Sequence, residues 1–455
     1  MIHCHKTIIF LIGFVLIRTP AFPQVEESYT FNLQQCIEYA LDNNEDIQIA
    51  DFEAQMAKAR TGEFMSQGLP QVDAALAFNK NFVVRRAFVP ANTFNPTAPE
   101  GEFIEIPFGA PYDGDVGLNV RQMLLNGSYF VGLKASRTYQ ELSKKDFQRT
   151  RIETAAAVSK AYYGVMVSEV SLELAEANFN RLDTLLREIT FMYDNGFAEK
   201  IDLNRTTVEY NNAATRLENS SRMLEISKQL LKFQMGMPIG TRLEIAEKFG
   251  DLRFNISEEL EIPAIPQNRI EMSILATQQA LAELEMKNNQ VQYLPTLDLF
   301  MGWGMNTGTA NASDLLKWGT RTIWPDYQLV GLRMAVPIFD GLYKARIVQQ
   351  NRLKIQQVMT QRQKTQNAIM LEANEKRNNL INNIDQLKNQ TQNLVLAEEV
   401  FNHSKIKYQE GLGSNLEVIE ADNAFKQAET YYFTAMYDAL IAHVEYQQAL
   451  GILLK

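Results

Sequence analysis

The sequence contains little cysteine and histidine, with two cysteines and four histidines among 455 residues. So few potential ligands leave little material for a metal site, and His403 and His443 have no companions at metal-ligand spacing. The net charge of −10 argues against a nucleic acid bound through its phosphates. The sequence also lacks a phosphate-binding P-loop and a Gly-x-Ser-x-Gly nucleophile motif. We therefore expect neither an enzyme nor a bound cofactor or metal.

Long hydrophobic runs are missing beyond the N-terminus. The one apolar run there, residues 8–17, is too short to cross a bilayer as a helix. It is typical of a secretory signal, which we place at residues 1–24, although a buried first helix would give a similar run. Cleavage would remove Cys4 and leave Cys36 on an apolar helical face, so we expect an exported protein with no internal disulfide. The absence of any other such run argues against a helical inner-membrane protein.

Proline is absent from two long tracts. All fourteen prolines lie in residues 20–111 or 238–337. Because proline breaks helix interiors, the remaining tracts are predicted to form long helices. Residues 342–410 contain neither glycine nor proline, and as one helix they would extend about 100 Å. Their apolar stripe is narrow, which predicts a helix that is wet on both sides, although a dimeric coiled coil would show a similar pattern.

Four short segments alternate apolar with small or polar residues, as strands do: residues 72–79, 116–121, 297–306 and 330–335. Strands of nine to eleven residues can cross a bilayer when tilted. One segment presents four large residues that we predict to face the membrane: Leu297, Leu299, Met301 and Trp303. A half-buried soluble sheet would alternate in the same way. Four strands cannot close a conducting barrel, so a membrane role requires several chains to share one.

The two halves of the chain repeat each other. The segment VGLNVRQMLLNG aligns without gaps with VGLRMAVPIFDG, and farther along YDNGF aligns with YQEGL at nearly the same offset. Anchors that agree this closely indicate a duplication. We predict a first repeat at residues 25–237 with a strand hairpin at 71–124, and a second repeat at 269–455 with a hairpin at 296–337. A proline-rich connector, residues 238–268, separates them, and each repeat should read helix, strand, long turn-rich loop, strand, long helix, tight turn, helix.

This ordered set of motifs resembles the TolC-type outer-membrane efflux and secretion factors from about Asn32 to Lys455. The resemblance depends on VPIFDG, the paired Tyr-x-x-Gly turns, the paired glycines Gly236 and Gly451, and LPQV and LPTL before the first strand of each repeat. It implies a mostly α-helical chain with membrane β-strands. Three protomers would pool four strands each into a twelve-stranded β-barrel in outer-membrane lipid, continued by a long α-helical barrel. The implied function is a passive, gated exit duct in a tripartite system with a periplasmic adaptor and an inner-membrane RND or ABC pump.

The resemblance also implies a periplasmic constriction. Similar proteins carry two acidic residues at spacing three just past the second Tyr-x-x-Gly turn, and Glu417 and Glu420 occupy those positions here. At this spacing they share one face of a helix. Three copies would place six carboxylates around a narrow opening and favour cations. Two ordinary solvated glutamates remain the alternative.

The same resemblance implies a gate lock. In similar proteins an Asp of the first repeat pairs with a Tyr and an Arg of the second, and Asp202 and Tyr408 occupy the first two positions. Gly413 stands where the Arg is expected. A different contact must replace that ion pair, and Lys200 and Arg205 are candidates.

The two helix-hairpin tips are the implied adaptor-docking sites: Tyr193, Gly196, Tyr408 and Gly411. A second hypothesis is a structural or adhesive periplasmic coiled-coil protein with a small soluble sheet. That alternative predicts no duplicated strand pair and no channel activity. The cargo, the particular pump and the particular adaptor cannot be read from the sequence.

Overall fold

The computed structural model describes residues 28–248, 263, 265–317 and 323–454. The predicted signal at residues 1–24 lies outside them, as does most of the predicted connector. The helices are α1 (Leu33–Asn43), α2 (Glu45–Ser66), α3 (Gly127–Asp194), α4 (Lys200–Met235), α5 (Ile270–Val291), α6 (Tyr343–Gln409) and α7 (Asn415–Leu450). The strands are β1 (Ser28–Phe31), β2 (Gln71–Lys80), β3 (Arg86–Pro90), β4 (Phe103–Pro107), β5 (Tyr112–Leu125), β6 (Arg242–Ile245), β7 (Thr296–Thr309) and β8 (Asp326–Ala335).

Two long helical hairpins dominate the molecule. Helix α3 has 68 residues and α6 has 67, so each extends about 100 Å. Both lie in the tracts without proline, as predicted. Each turns back at its tip into a helix of 36 residues, α4 or α7. Within the described residues, no helix is both long enough and apolar enough to cross a bilayer.

The two return helices end in the same way. Gly236 closes α4 with φ 69° and Gly451 closes α7 with φ 72°, the left-handed conformation that glycine adopts at little cost. At the first site, a Cβ atom would come within 2.6 Å of the Asn43 carbonyl oxygen, so only glycine fits there. The Asn44 side chain then donates to the Gln234 carbonyl oxygen at 3.0 Å, which joins α1 and α2 to the end of α4.

A four-stranded antiparallel sheet stands at the other end of the hairpins, in the order β2, β5, β7, β8. The central pair, β5 with β7, joins the two repeats, and it aligns Leu118 with Trp303. A second, parallel pair joins β1 to β6. Strand β6 lies in the predicted connector, so this part of the connector is held against β1.

The largest core lies where α1, α3, α4, α7 and β6 meet. Its members include Tyr162, Met166, Leu231 and Met436, all nearly inaccessible to solvent. Cys36 lies in this core as predicted, and burial raises the pKa of its thiol to about 12. A second core, which is hydrophobic, lies near the hairpin tips, and the charged groups described below lie beside its rings Phe401 and Phe425.

Candidate functional site

The sheet has two chemically different faces. Because neighbouring residues of a strand point to opposite faces, the register decides which side chains share one. The apolar face carries Val72, Ala74, Leu76, Phe78, Val116, Leu118, Val120, Leu299, Met301, Trp303, Met305, Val330 and Leu332. Leu297 aligns with Met334 and, past an irregularity in β5, with Leu125. The four residues predicted to face the membrane thus belong to one apolar surface, on which Met301 and Trp303 are exposed and Leu297 and Leu299 are half-buried.

The opposite face is polar and rich in glycine. It carries Asp73, Asp113, Asp115, Asn119, Arg121, Asp298, Asn306 and Arg333. Its two large rings lie over glycines, with Phe300 against Gly331 and Tyr327 against Gly304. The Tyr327 hydroxyl donates to Asp115 Oδ2 at 3.3 Å. The rings therefore lie along the sheet, and the face stays shallow.

Both edges of the sheet are open. Among the described residues, β2 pairs only with β5 and β8 only with β7. The free side of each edge strand presents unpaired backbone donors and acceptors. One edge strand, β2, is exposed along its whole length.

The two hairpin tips have the same backbone geometry. Gly196 and Gly411 have φ values of 81° and 72°. In each tip the glycine amide donates to the carbonyl oxygen of the tyrosine three residues earlier, Tyr193 or Tyr408, at 3.0 Å. An exposed apolar side chain follows each glycine, Phe197 or Leu412. The sequence motif therefore specifies one turn twice.

The candidate constriction residues lie in the first two turns of α7. Glu417 and Glu420 are exposed, and between them Val418 is buried against the second core. The backbone amide of Glu417 donates to the Ser414 hydroxyl at 3.3 Å, which caps the helix. The two carboxylates thus share the solvent side of the helix, as the spacing predicts.

The candidate lock brings the two tips together through a residue that the sequence did not single out. Burial raises the pKa of the Tyr408 hydroxyl above its usual value, and the nearby Asp202 carboxylate raises it further. The Asn415 amide donates to the Asp202 carbonyl oxygen at 3.2 Å and to its Oδ1 at 3.1 Å. Asn415 therefore makes a contact between the tips that the sequence did not predict, and Lys200 and Arg205 remain candidates for the place of the missing arginine.

A buried group of charges joins the two hairpins farther from the tips. We call it the charged cluster: Arg181 of α3, Glu209 of α4, and Asp422, Lys426 and Glu429 of α7. Lys426 Nζ lies 2.5 Å from Asp422 Oδ2 and 2.8 Å from Glu209 Oε2. Because both repeats contribute, separating the hairpins would leave charges unpaired. The sequence carried a signal, since positions 422, 426 and 429 follow the helical spacing of a buried stripe.

Aromatic rings hold the arginine of the charged cluster. The Arg181 guanidinium lies 4.8 Å from the ring centroids of both Phe401 and Phe425, within cation–π range. It donates to Asn178 Oδ1 at 2.8 Å and lies 3.9 Å from Asp422 Oδ1. Three of the four long helices therefore meet at one guanidinium.

Glu429 is the titratable member of the charged cluster. Burial raises the pKa of this carboxyl to about 7, and the Asp422 carboxylate contributes in the same direction. Arg181, Arg216 and Lys426 oppose the shift. Its carboxyl therefore changes charge near neutral pH inside the contact between the hairpins.

Comparison with known proteins identifies the family to which this architecture belongs. A model of the family described as outer membrane efflux protein matches residues 36–236 and 262–452, most of both repeats. The chain belongs to the outer membrane efflux protein family. Family membership confirms the resemblance drawn from the motifs, the internally duplicated fold and the outer-membrane location. It also accounts for the duplicated strand pair that the coiled-coil alternative excludes.

Individual relatives of this outer membrane efflux protein are distant in sequence. Outer membrane protein TolC of Vibrio cholerae is 20% identical over 349 residues, which are 76% of this chain and 78% of TolC. The open state of the Neisseria gonorrhoeae MtrE outer membrane channel superposes with a TM-score of 0.71 at 15% identity, covering 93% of this chain and 90% of MtrE. The Campylobacter jejuni CmeC outer membrane channel gives 0.70 at 17% identity, covering 99% and 94%. These structures share the fold.

Proposed function

We propose that three copies of this chain form a passive export duct across the outer membrane and periplasm. The observation that carries the proposal is the open-edged sheet, apolar on one face and polar on the other, at the end of helices about 100 Å long. Lipid cannot satisfy the backbone groups of an open edge, so a sheet in a membrane must close. Lipid would cover the apolar face, and the polar face would line the lumen.

Strand direction supports closure by copies of the same chain. The four strands alternate in direction, so β2 and β8 run oppositely. Placing β2 of one copy beside β8 of the next continues the antiparallel pattern around the ring. Three copies give twelve strands, an even number that suits a bacterial outer-membrane barrel.

The helices also leave surfaces for neighbouring copies. Large apolar side chains remain exposed along the return helix of the first repeat and the long helix of the second: Val208, Ile226 and Leu230 of α4, and Leu371, Val395 and Val400 of α6. Large apolar side chains left exposed on neighbouring turns, such as Ile226 and Leu230, suit a contact with another protein surface. In a ring of three, α4 of one copy would lie beside α6 of the next, which extends the barrel through the periplasm.

The duct is expected to rely on partners for energy. In this proposal the hairpin tips dock a periplasmic adaptor, which connects the duct to an inner-membrane RND or ABC pump. The exposed Phe197 and Leu412 supply apolar anchors beside the two turns. Replacing both with Asp should abolish adaptor capture in detergent extracts without changing conductance. Normal adaptor capture by this double variant would show that the tips are not the docking site.

Inter-chain cross-linking tests the barrel directly. A cysteine at Leu76 of β2, combined in turn with one at Gln328, Val330 or Leu332 of β8, should give covalent trimers in outer-membrane fractions after oxidation. The native Cys36 does not compete, because its thiol is buried and its pKa is raised. The matched control pairs Leu76→Cys with Trp303→Cys on interior strand β7. Only monomers or dimers from every β2–β8 pair, together with no conductance in planar bilayers, would refute the duct.

The constriction has its own test. Glu417→Ala with Glu420→Ala should reduce cation selectivity in single-channel recordings, because carboxylates near a narrow opening attract cations. Two exposed glutamates of α4, Glu218 and Glu225, provide the control double variant. Equal selectivity in both double variants would show that Glu417 and Glu420 do not line the constriction.

A further inference from the structure

The segment between β2 and β5 carries a small hairpin with one unusually apolar exposed face. Strands β3 and β4 pair from Arg86 opposite Pro107 to Pro90 opposite Phe103, and we call this unit the outer hairpin. On one face Ala87, Val89 and Ile106 are partly buried. On the other face Phe88 and Phe103 are 66% and 58% exposed. Flanking aromatic residues are also exposed: Phe82, Phe94 and Phe108.

The outer hairpin continues the edge of the sheet. The Asn81 amide donates to the Pro111 carbonyl oxygen, and the Phe108 amide donates to the Arg85 carbonyl oxygen, both at 2.8 Å. These bonds carry the β2–β5 pairing outward into β3 and β4. Since β2 is an edge strand, β3 lies on the same side of the sheet as the open edge.

A second exposed apolar site lies at the same end, close to the other edge. Leu316 and Ile323, in the connection from β7 to β8, are 76% and 81% exposed. The Thr307 hydroxyl of β7 donates to the Ile323 carbonyl oxygen at 2.8 Å, which fixes that residue near the start of β8. The chain therefore carries apolar groups at the outer end of both open edges.

We propose that the outer hairpin of one copy packs against Leu316 and Ile323 of the next copy around the ring. This inference depends on the proposed duct, in which β2 of one copy pairs with β8 of the next. Closure then brings the outer end of β2 to the outer end of β8. Lys80 and Asp326 occupy those two ends, so their charges are complementary. The contact joins two different surfaces and closes as a ring of three.

The exposed face itself argues against lipid as its cover. Arg86 Nη1 lies 2.8 Å from Glu105 Oε2 on the same face as Phe88. Charged side chains facing lipid are costly, whereas an ion pair at the rim of a protein interface stays partly solvated. A neighbouring protein surface accommodates both the rings and the ion pair.

Disulfide trapping tests the contact. Phe88→Cys or Phe103→Cys, each combined with Leu316→Cys or Ile323→Cys, should yield covalent trimers in outer-membrane fractions for at least one pair. Val89→Cys with the same partners is the control, because Val89 lies on the opposite face of the outer hairpin. Phe88→Ser with Phe103→Ser should lower the temperature at which the trimer dissociates in detergent.

The outcomes separate this inference from the duct itself. If β2–β8 cysteine pairs give covalent trimers while every outer-hairpin pair stays unlinked, the packing is overturned and the duct stands. If a membrane-impermeant maleimide labels Phe88→Cys completely within intact trimers, the face is open to solvent and the packing is again overturned. If neither set of pairs links, the packing is overturned, and the duct is refuted as well when planar bilayers show no conductance.

Discussion

The two return helices, α4 and α7, have equal lengths, equivalent tips and the same glycine endings, yet they are buried to very different extents. Both lie wholly within the described residues. Helix α7 buries seventeen residues and α4 buries five. The reason is position, since α7 packs against both α6 and α3, whereas α4 packs mainly against α3 and α1.

This difference shows how a duplicated unit acquires two roles. The flank of α7 that faces the first repeat is filled by the chain itself and contains the charged cluster. The equivalent flank of α4 is left open, since the counterparts of Lys426 and Leu440 there are the exposed residues Asn211 and Glu225. The same backbone thus makes a contact within the chain in one repeat and stays exposed in the other, where a neighbouring copy would pack in the proposed duct. Paired substitutions at equivalent positions of the two helices test this contrast.

The largest effect is expected at the centre of the charged cluster. Lys426→Met would remove the ammonium that lies between the buried Asp422 and the half-buried Glu209, and would leave Asp422 with only the more distant Arg181. We therefore expect a loss of about 3–5 kcal/mol in the free energy of unfolding. The equivalent first-repeat substitution, Asn211→Met, falls on an exposed site and should change it by less than about 0.5 kcal/mol. Denaturant unfolding in detergent measures both. Equal effects would mean that the two flanks are equivalent after all.

A core substitution should separate the helices almost as clearly. Leu440 of α7 is fully buried, and Leu440→Ala should cost about 2–5 kcal/mol through lost burial and the cavity left behind. Its counterpart Glu225 is exposed, and Glu225→Ala should be nearly neutral. Thermal unfolding monitored by circular dichroism compares the two. A destabilising Glu225→Ala would show that α4 is buried in the measured assembly.

The charged cluster should also respond to pH. The folded-state pKa of Glu429 is raised from 4.5 to about 7, so the folded protein holds a proton that the unfolded chain releases between these values. The contribution of Glu429 to stability therefore falls by up to about 3 kcal/mol as pH rises from 4.5 to 7, and it is constant above pH 7. Glu429→Gln should remove this dependence and stabilise the protein above pH 7.

Unfolding curves between pH 4 and 9 provide the check for Glu429. Glu218→Gln, which changes an exposed glutamate of α4, should follow the wild-type profile. A Glu429→Gln profile that parallels the wild type would show that this carboxyl does not titrate in the cluster.

The smallest of the four effects is expected at the tips. Asn415→Ala removes the amide that binds Asp202, which should cost about 1–2 kcal/mol and raise hydrogen exchange at tip amides roughly tenfold. The equivalent position of the first repeat is Lys200, which is exposed, and Lys200→Ala should leave exchange unchanged. A larger increase in exchange for Lys200→Ala than for Asn415→Ala would show that Lys200 contributes to the lock.

The long elements of the fold were predictable because their signals are local. A proline-free tract allows only a few structures, and residues 342–410 become one helix to within a residue at each end. Alternation located β2, β5, β7 and β8, because a sheet with two different faces imposes period two on its sequence. The glycines at the tips and helix ends were also predictable from local sequence, since each marks a backbone conformation that few other residues adopt.

Very short strands, and pairings between segments far apart in the chain, could not be predicted from the sequence. Strands β1 and β6 are very short and pair across the whole length of the first repeat, so neither has a periodic signal of its own. The outer hairpin ends in prolines and lies between turns, so its sequence predicts only a loop. The charged cluster was missed because charged residues on a helix usually indicate solvent, and only the tertiary contact shows that Asp422 and Lys426 are buried.

The pairing of β5 with β7 sets an order of events during folding. Val120 aligns with Met301, so the centre of the sheet joins segments that lie in different halves of the chain. Contacts this distant in sequence form late, because a long loop must close first. While the chain is being exported, β2 and β5 can form only a lone hairpin, which is marginally stable. The surface suited to lipid is therefore completed only after β8, which ends at Ala335, has crossed the inner membrane, and insertion is expected to wait for that strand.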